Sequence, residues 1–137
     1  MEQKFNEATR QRPMGDRTIN APLVTIDLPL FIEQIRNEEP WIDSDRNAIT
    51  VFKTNGLRIV LIALHKGAEM IKHTADGLIS LQVLEGQISF NTDERSVELS
   101  KGQMLALHAG IPHSVHAIAE TIFLLTLTTT KTGDPVF

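Results

Sequence analysis

The stretch of sequence from Gly67 to Ala117 decides the fold, because it contains two glycine-led segments that each end in a histidine. The first reads Gly67-Ala-Glu-Met-Ile-Lys-His73. The second reads Gly102-Gln-Met-Leu-Ala-Leu-His-Ala-Gly-Ile-Pro-His113. Each segment reaches its histidine after a short apolar run, which is typical of β-strands bounded by turns.

Short β-rich runs continue on both sides of these segments, from residue 48 to the last strand. The runs predicted as strands are 49–53, 57–64, 70–73, 78–84, 87–91, 96–99, 103–108, 113–118 and 121–129. Turn-forming residues separate them, including the Asn-Gly pair at 55–56, whose positive φ angles suit a tight hairpin. Many evenly spaced strands without intervening helices predict a closed barrel or a double-sheet jelly roll.

The first segment resembles the first motif of the cupins, small β-barrels whose interior often holds a metal. That motif is a glycine, five residues, His-x-His, three or four residues, a glutamate, six residues and a glycine. Gly67, His73 and Gly86 fit this frame, whereas Ala75 and Ile79 occupy the positions of the second histidine and the glutamate.

The second segment resembles the second cupin motif. Gly102, Gly110 and His113 fit, while His108 stands where a proline is usual and Ala117 where an asparagine is usual. The resemblance covers about residues 48–130. It implies an all-β fold, a double-stranded β-helix or jelly-roll barrel, to which the sequence adds a short N-terminal helix.

Metal binding is the first function that the resemblance implies. Cupin metals are typically held by three histidines and a glutamate, and this chain keeps His73 and His113 as candidate ligands. Zn, Ni, Fe and Mn are the candidate metals. Further ligands would have to come from Glu69, two residues before Ile71 on the same strand face, or from His65 or His108 if backbone irregularities turn them inward. We therefore expect a weakly held, substoichiometric metal.

The interior of the barrel can be predicted from strand alternation, since successive side chains point to opposite faces. If the faces that carry the two histidines look inward, as the resemblance implies, the cavity is mostly apolar. His116 should then point away from it. The predicted ligand-binding residues are His73, His113, Ile71, Ile79, Leu81 and Val115.

Three functions remain open. The leading hypothesis is that the barrel binds a small molecule, and the alternative is a metal-dependent isomerase or dioxygenase that uses His73 and His113 with additional ligands. A third is metal-free catalysis by His73 with Asp76 nearby. The absence of tyrosine argues against the sugar-nucleotide epimerases among the cupins. Because the chain ends at Phe137, we expect a regulatory role to need a separate DNA-reading partner.

Composition limits the other classes of function. The 137 residues, 42% hydrophobic and 22% charged, suit one globular domain. A net charge of -4 without a Lys/Arg cluster argues against nucleic acid as a partner. No apolar run resembles a signal peptide or membrane span, and cysteine is absent. We therefore expect a cytoplasmic protein that does not bind membranes.

The chain before the barrel is predicted to contain a flexible arm at 1–20 and a short strand at 23–26, with residues 21–137 forming the single domain. A helix follows, with Asp27 as its cap, Pro29 in its first turn and Pro40 beyond its end. Its apolar residues at helical spacing are Leu28, Phe31, Ile32 and Ile35. We expect this helix to plug or flank the barrel and Trp41 to pack beside it.

Two predicted strands carry apolar residues on both faces. The run 78–84 places Leu78 and Leu84 opposite its inward residues, and the run 121–129 contains five large apolar residues among its first seven. A solvated sheet face should instead be polar. Either the helix or a second subunit must cover this surface, and we expect a homodimer.

Overall fold

The computed structural model describes residues 4–6 and 17–129. Its elements, in chain order, are β1 (Lys4–Asn6), β2 (Arg17–Asn20), α1 (Leu28–Ile35), α2 (Glu39–Asp43), β3 (Arg46–Lys53), β4 (Leu57–Leu64), β5 (Glu69–His73), β6 (Ile79–Glu85), β7 (Gln87–Thr92), β8 (Ser96–Ser100), β9 (Met104–Leu107), β10 (His113–Ala117) and β11 (Thr121–Thr128). Within these ranges, neither helix has the length and apolar character needed to cross a membrane.

The strands of the barrel form two antiparallel sheets. The larger has the order β3-β4-β11-β6-β9, and the smaller has the order β5-β10-β7-β8. Inward side chains of both sheets form one core, and its largest buried members include Leu81, Ile88 and Phe123. The all-β jelly roll with a short N-terminal helix, predicted from the sequence, is therefore confirmed.

The helical segment covers the outer face of the larger sheet. Ile35 of α1 and Trp41 of α2 are buried in a second apolar cluster with Ile49, Leu61 and other outward residues of that sheet. The apolar outer face is thus covered in part within one chain. The prediction that Trp41 packs beside the helix is confirmed, whereas the homodimer stays a prediction.

The start of α1 follows its predicted signals. The carboxylate of Asp27 accepts a hydrogen bond from the amide of Leu30 at 3.2 Å, and Pro29 lies in the first turn. Pro40, expected beyond the end of the helix, lies in the first turn of α2. The predicted strand at 23–26 is wrong. Residues 23–26 pair with no strand among the described residues, and Leu23 is exposed.

The hairpin between β3 and β4 is present, but its turn differs from the predicted one. Gly56 is not among the glycines with a positive φ in residues 17–129. Instead, the Thr54 hydroxyl accepts hydrogen bonds from the amides of Gly56 and Leu57 at 3.2 and 3.1 Å. The side chain of Thr54 therefore organises this turn, as threonine can do in place of a primed turn.

A β-bulge in β5 overturns one prediction about the barrel interior. His113 pairs with His73 and Val115 pairs with Met70, so three steps on β5 face two steps on β10. The extra residue turns Met70 toward the core, places the His73 ring against that of His113, and leaves Ile71 pointing outward, 79% exposed. The prediction that Ile71 shares the interior face with His73 is therefore wrong, because alternation holds only in a regular strand.

The N-terminal region contains a short two-stranded pairing, in which β1 is antiparallel to β2. Ile19 and Asn20 of β2 are buried. The prediction of a flexible arm at 1–20 falls largely outside the described residues. The division of the chain at residue 21 stays a prediction.

Candidate functional site

Two histidines from neighbouring strands come together at one end of the barrel. His73 is the last residue of β5 and His113 is the first of β10, and the two are direct register partners. Their ring centroids are 4.4 Å apart, with the ring planes at 58°. The pairing predicted from the two glycine-led segments is therefore present as a contact between side chains.

Each ring is oriented by the backbone two residues before it. The Nδ1 atom of His73 lies 2.7 Å from the carbonyl oxygen of Ile71, and that of His113 lies 2.9 Å from the carbonyl oxygen of Ile111. Because a carbonyl only accepts hydrogen bonds, a neutral ring in this position carries its proton on Nδ1. The Nε2 atom of each ring is then an acceptor with a free lone pair.

The two imidazoles differ in burial. His113 is 4% exposed and stacks on Phe90, with ring centroids 5.3 Å apart and planes at 13°. His73 is an exposed residue at the end of an edge strand. One side of the site is thus fixed within the core, while the other side faces solvent.

Both rings line a cavity of about 290 Å³, which we call the histidine cavity. Apolar side chains from the larger sheet, Ile79, Leu125 and Leu127, line it as well. The rest of its lining comes from chain connections at this end of the barrel, at residues 74–77 and 128–129. The cavity therefore combines the two imidazole acceptors and Asp76 with an apolar wall.

The predicted ligand-binding residues fall into three groups. Ile79 lines the histidine cavity together with the two histidines. Leu81 and Val115 are buried in the core and do not line it. Ile71 lies outside the barrel for the reason given above. Whether any of these residues contacts a ligand stays a prediction.

Sequence reasoning missed Leu125 and Leu127 of β11. Their run was identified as apolar on both faces, so no single inward face was assigned to it. The sequence carries no signal that separates the two faces, since Ile122 and Phe123 are both fully buried, in the outer cluster and the barrel core respectively. The structure assigns Leu125 and Leu127 to the inner face, because they follow Phe123 at steps of two.

The other histidines serve different contacts. His65 stacks on Trp41 at 3.4 Å and donates from Nε2 to the Trp41 carbonyl oxygen at 2.8 Å. His116 points away from the histidine cavity, as predicted, and its Nδ1 lies 3.3 Å from a carboxylate oxygen of Glu69. His108 is exposed and is not in the lining of that cavity. Neither Glu69 nor His65 is therefore available as an additional inward ligand.

The donor set does not match a cupin metal centre. No group of three or more His, Cys, Asp or Glu side chains suited to a metal ion occurs in the part of the chain that the structure describes. The positions of the missing histidine and glutamate hold Ala75 and Ile79, which have no donor atom. Two imidazoles would leave most of a coordination sphere to water or to a bound molecule.

Comparison with known proteins identifies the family. The model of the AraC-like ligand binding domain matches residues 57–129, which is more than half of the chain. No curated protein matches the sequence significantly.

Among solved structures, a cupin-2 domain protein from Shewanella frigidimarina NCIMB 400 is 15% identical, with a TM-score of 0.62 over 76% of this chain and 94% of that chain. A conserved protein of unknown function from Streptococcus pyogenes is 25% identical, with a TM-score of 0.60 over 64% of this chain and 76% of that chain. A salicylate 1,2-dioxygenase from Pseudoaminobacter salicylatoxidans is 17% identical, with a TM-score of 0.70 over 82% of this chain but 36% of that chain. The chain is a small cupin and belongs to the AraC-like ligand-binding domain family.

Proposed function

We propose that the protein binds a small molecule in the histidine cavity, through His73 and His113. One observation carries this proposal. The two rings are 4.4 Å apart, and both have their Nδ1 atoms occupied by backbone carbonyls. The Nε2 atoms are then the hydrogen-bond acceptors left on the two rings, and a bound molecule can donate to both at once.

The lining defines the chemical class of this molecule. In its neutral form each imidazole accepts a hydrogen bond at Nε2, so the pair favours a ligand that donates hydrogen bonds, such as a hydroxyl compound or an N–H compound. Ile79, Leu125 and Leu127 favour an apolar part on the opposite side. A volume of about 290 Å³ is at the small end for ligand cavities, so the ligand is smaller than a typical drug.

Binding is favoured over catalysis by the family and by the site itself. The matching family model describes a ligand binding domain. The Nδ1 atom of His73 bonds the backbone of Ile71, so Asp76 does not act there as the orienting carboxylate of a catalytic base. The two rings therefore serve as recognition groups, and neither is paired through Nδ1 with an orienting carboxylate.

A metal-dependent enzyme is the second candidate, and one observation favours it. Histidines that bind metals commonly donate their other ring nitrogen to a carbonyl or a carboxylate, as His73 and His113 do here. A metal bound by these two rings alone would be held with low affinity, since its further ligands would come from solvent or from the bound molecule. Catalysis of the isomerase or dioxygenase type would need those added ligands.

The test combines elemental analysis of protein purified without chelators with a ligand-observed NMR screen of small alcohols, amides and azoles. We expect less than one metal per chain after dialysis against a mild competitor. We also expect hits whose signals disappear in the His73→Ala and His113→Ala variants. His116→Ala is the matched control, since the same ring is removed from the outward face of β10.

Three results of these experiments would contradict the proposal. One tightly held transition metal per chain would replace it with the metal-dependent candidate. A screen whose hits survive both His73→Ala and His113→Ala would remove the histidine cavity as the binding site. Loss of binding in His116→Ala alone would reverse the inward and outward assignment of β10.

We further propose that the protein is a homodimer that associates through the part of the larger sheet beyond the helical segment. Met104 on the edge strand β9 is 57% exposed, and the outer apolar cluster includes Leu84 and Leu124 but not Met104. An isologous contact of standard size would cover this region. Light scattering at micromolar concentration should give the mass of two chains, and the mass of one chain would contradict the proposal.

A further inference from the structure

A second and larger cavity lies where the edges of the two sheets meet. It has a volume of about 540 Å³, and we call it the seam cavity. β8 is an edge strand of the smaller sheet and β9 is an edge strand of the larger one. The seam cavity is lined by Phe90, Thr92, Asp93, Glu94, Arg95, Val97, Leu105, Ala106, Leu107, Ile111 and Pro112.

The cavity follows from how the chain passes between the sheets. A tight turn joins β8 to β9, and there the amide of Gly102 donates to the carbonyl of Val83 at 2.7 Å. From this turn, β8 pairs with β7 and β9 pairs with β6, so the two strands diverge into different sheets. Val97 and Leu107, near the ends of these strands farthest from the turn, line the space between them.

The floor of the seam cavity is apolar. Phe90 is 3% exposed, and Val97, Leu105 and Leu107 pack against the core of the barrel with their other sides. The atoms of these side chains that face the cavity lack the dispersion contacts that they would make in a close-packed interior. Enclosed cavities with this kind of lining bind small apolar molecules, and the seam cavity presents the same kind of apolar surface while being partly open to solvent.

The rim of the cavity is charged but balanced. The tip of the hairpin between β7 and β8 contributes Asp93, Glu94 and Arg95. Asp93 accepts a hydrogen bond from the ammonium group of Lys72, while Glu94 and Arg95 carry opposite charges. The local charges therefore sum to zero, and the rim favours neither an anion nor a cation.

The two cavities are close neighbours with a wall between them. His113 of the histidine cavity pairs with Thr92 of the seam cavity, and Ile79 pairs with Leu107 in the same way. These lining residues of the two cavities are therefore neighbours on adjacent strands, about 5 Å apart. The ring of Phe90, stacked on His113, belongs to the wall. We infer that the seam cavity is a second ligand site, for a neutral apolar molecule of one or two rings.

Methyl groups in the two cavities allow a direct test with indole as the probe. Leu105 and Leu107 report on the seam cavity, and Leu125 and Leu127 report on the histidine cavity. In methyl-labelled protein titrated with indole, we expect saturable NMR shifts at the first pair. Naphthalene-2-sulfonate, an anion of similar shape, should bind more weakly because the rim offers no net positive charge.

Two variants make the test specific. Val97→Phe fills the floor of the cavity, and Ile111→Trp fills its rim from an exposed loop position that tolerates substitution. Each should weaken indole binding by about tenfold or more, since a ring-sized volume is lost. Ile71→Phe is the control, because it adds the same kind of bulk on the outer surface and should leave the affinity unchanged.

Two results would overturn the inference. One is the absence of saturable shifts at Leu105 and Leu107 up to the solubility of indole. The other is binding that persists unchanged in both Val97→Phe and Ile111→Trp. Shifts confined to Leu125 and Leu127 are a case of the first result and leave the proposed histidine cavity intact, so the two proposals can fail separately.

Discussion

The strands that carry the two histidines, β5 and β10, orient the imidazole rings in the same way but differ in their surroundings. In each, the ring bonds the carbonyl two residues before it. β10 lies between β5 and β7 and pairs with β7 in unbroken register from His113 to Ala117. β5 is an edge strand with one neighbour and a bulge, and four of its five residues are exposed.

This difference indicates a division of roles within the site. His113 is held in place by the hydrogen bonds of β10 to both neighbouring strands and by the stack of its ring on Phe90. His113 therefore defines the position of a ligand. His73 depends on one ladder, and β5 gains further support from Arg46, which donates from its guanidinium to the carbonyl of Glu69 at 2.6 Å. His73 is therefore the part of the site that can adjust when a ligand binds.

The largest expected effect compares two motif glycines. Gly86 and Gly102 both have a positive φ, of 92° and 87°. A Cβ on Gly86 would lie 2.2 Å from the carbonyl oxygen of Glu120, whereas a Cβ on Gly102 would meet nothing within 4 Å. Gly86→Ala should cost about 3 kcal/mol of unfolding free energy from strain and overlap, and Gly102→Ala about 1 kcal/mol from strain alone.

Chemical denaturation of both glycine variants checks this prediction. Equal losses would mean that the backbone near Glu120 moves away to admit a methyl group. Gly67, which also has a positive φ and open space around it, serves as a second reference and should behave like Gly102.

The next effect compares the two histidines. His113→Ala removes a buried ring and its stack on Phe90, so we expect a loss of about 1 to 2 kcal/mol with cooperative unfolding retained. His73→Ala removes an exposed ring and should cost less than about 0.5 kcal/mol. Urea unfolding of the two variants measures the difference. A larger loss for His73→Ala would reverse the roles assigned to β5 and β10.

A smaller effect tests the bulge in β5. Met70 packs against the core, and Ile71 is exposed. Because Met70 is only partly buried, Met70→Ser should cost about 1 kcal/mol, while Ile71→Ser should change the unfolding free energy by less than about 0.5 kcal/mol. If thermal and urea unfolding rank these variants in the opposite order, β5 is regular and Ile71 faces the interior.

The smallest effect concerns the support of β5 by Arg46. The hydrogen bond from the Arg46 guanidinium holds the pKa of the Asp45 carboxyl below its ordinary value of 3.8. Because the pKa is lowered by folding, the ionised Asp45 carboxyl stabilises the folded state when the pH is above the ordinary pKa. This stabilisation is lost as the pH falls through the lowered pKa of the folded state. Both groups are exposed, so the contribution is small and weakened by salt.

Arg46→Gln should return the pKa of Asp45 toward its ordinary value in an NMR titration of the carboxyl carbon. The same variant should increase amide exchange in β5, because the Glu69 carbonyl loses its donor. An unchanged pKa for Asp45 would contradict the ion pair. Lys53→Gln, a charge change near the other end of β3, is the control.

The sequence was sufficient for the architecture because the evidence for it is local. Turn residues and short apolar runs predicted the strand positions, and β4 was predicted with the observed bounds. The four motif glycines, Gly67, Gly86, Gly102 and Gly110, all have positive φ values. Asp27 and Pro29 predicted the start of α1 for the same reason, since capping depends on neighbouring residues.

The sequence by itself determined the cupin barrel, the short helix and the two histidines that meet at its end. Tertiary structure alone decided which side chains surround them. The bulge in β5 arises from its pairing with β10, and a single extra residue there exchanges Ile71 for Met70 on the inner face. The seam cavity likewise depends on the divergence of β8 and β9 into separate sheets. Strand alternation is local, but register and sheet membership depend on partners distant in the chain.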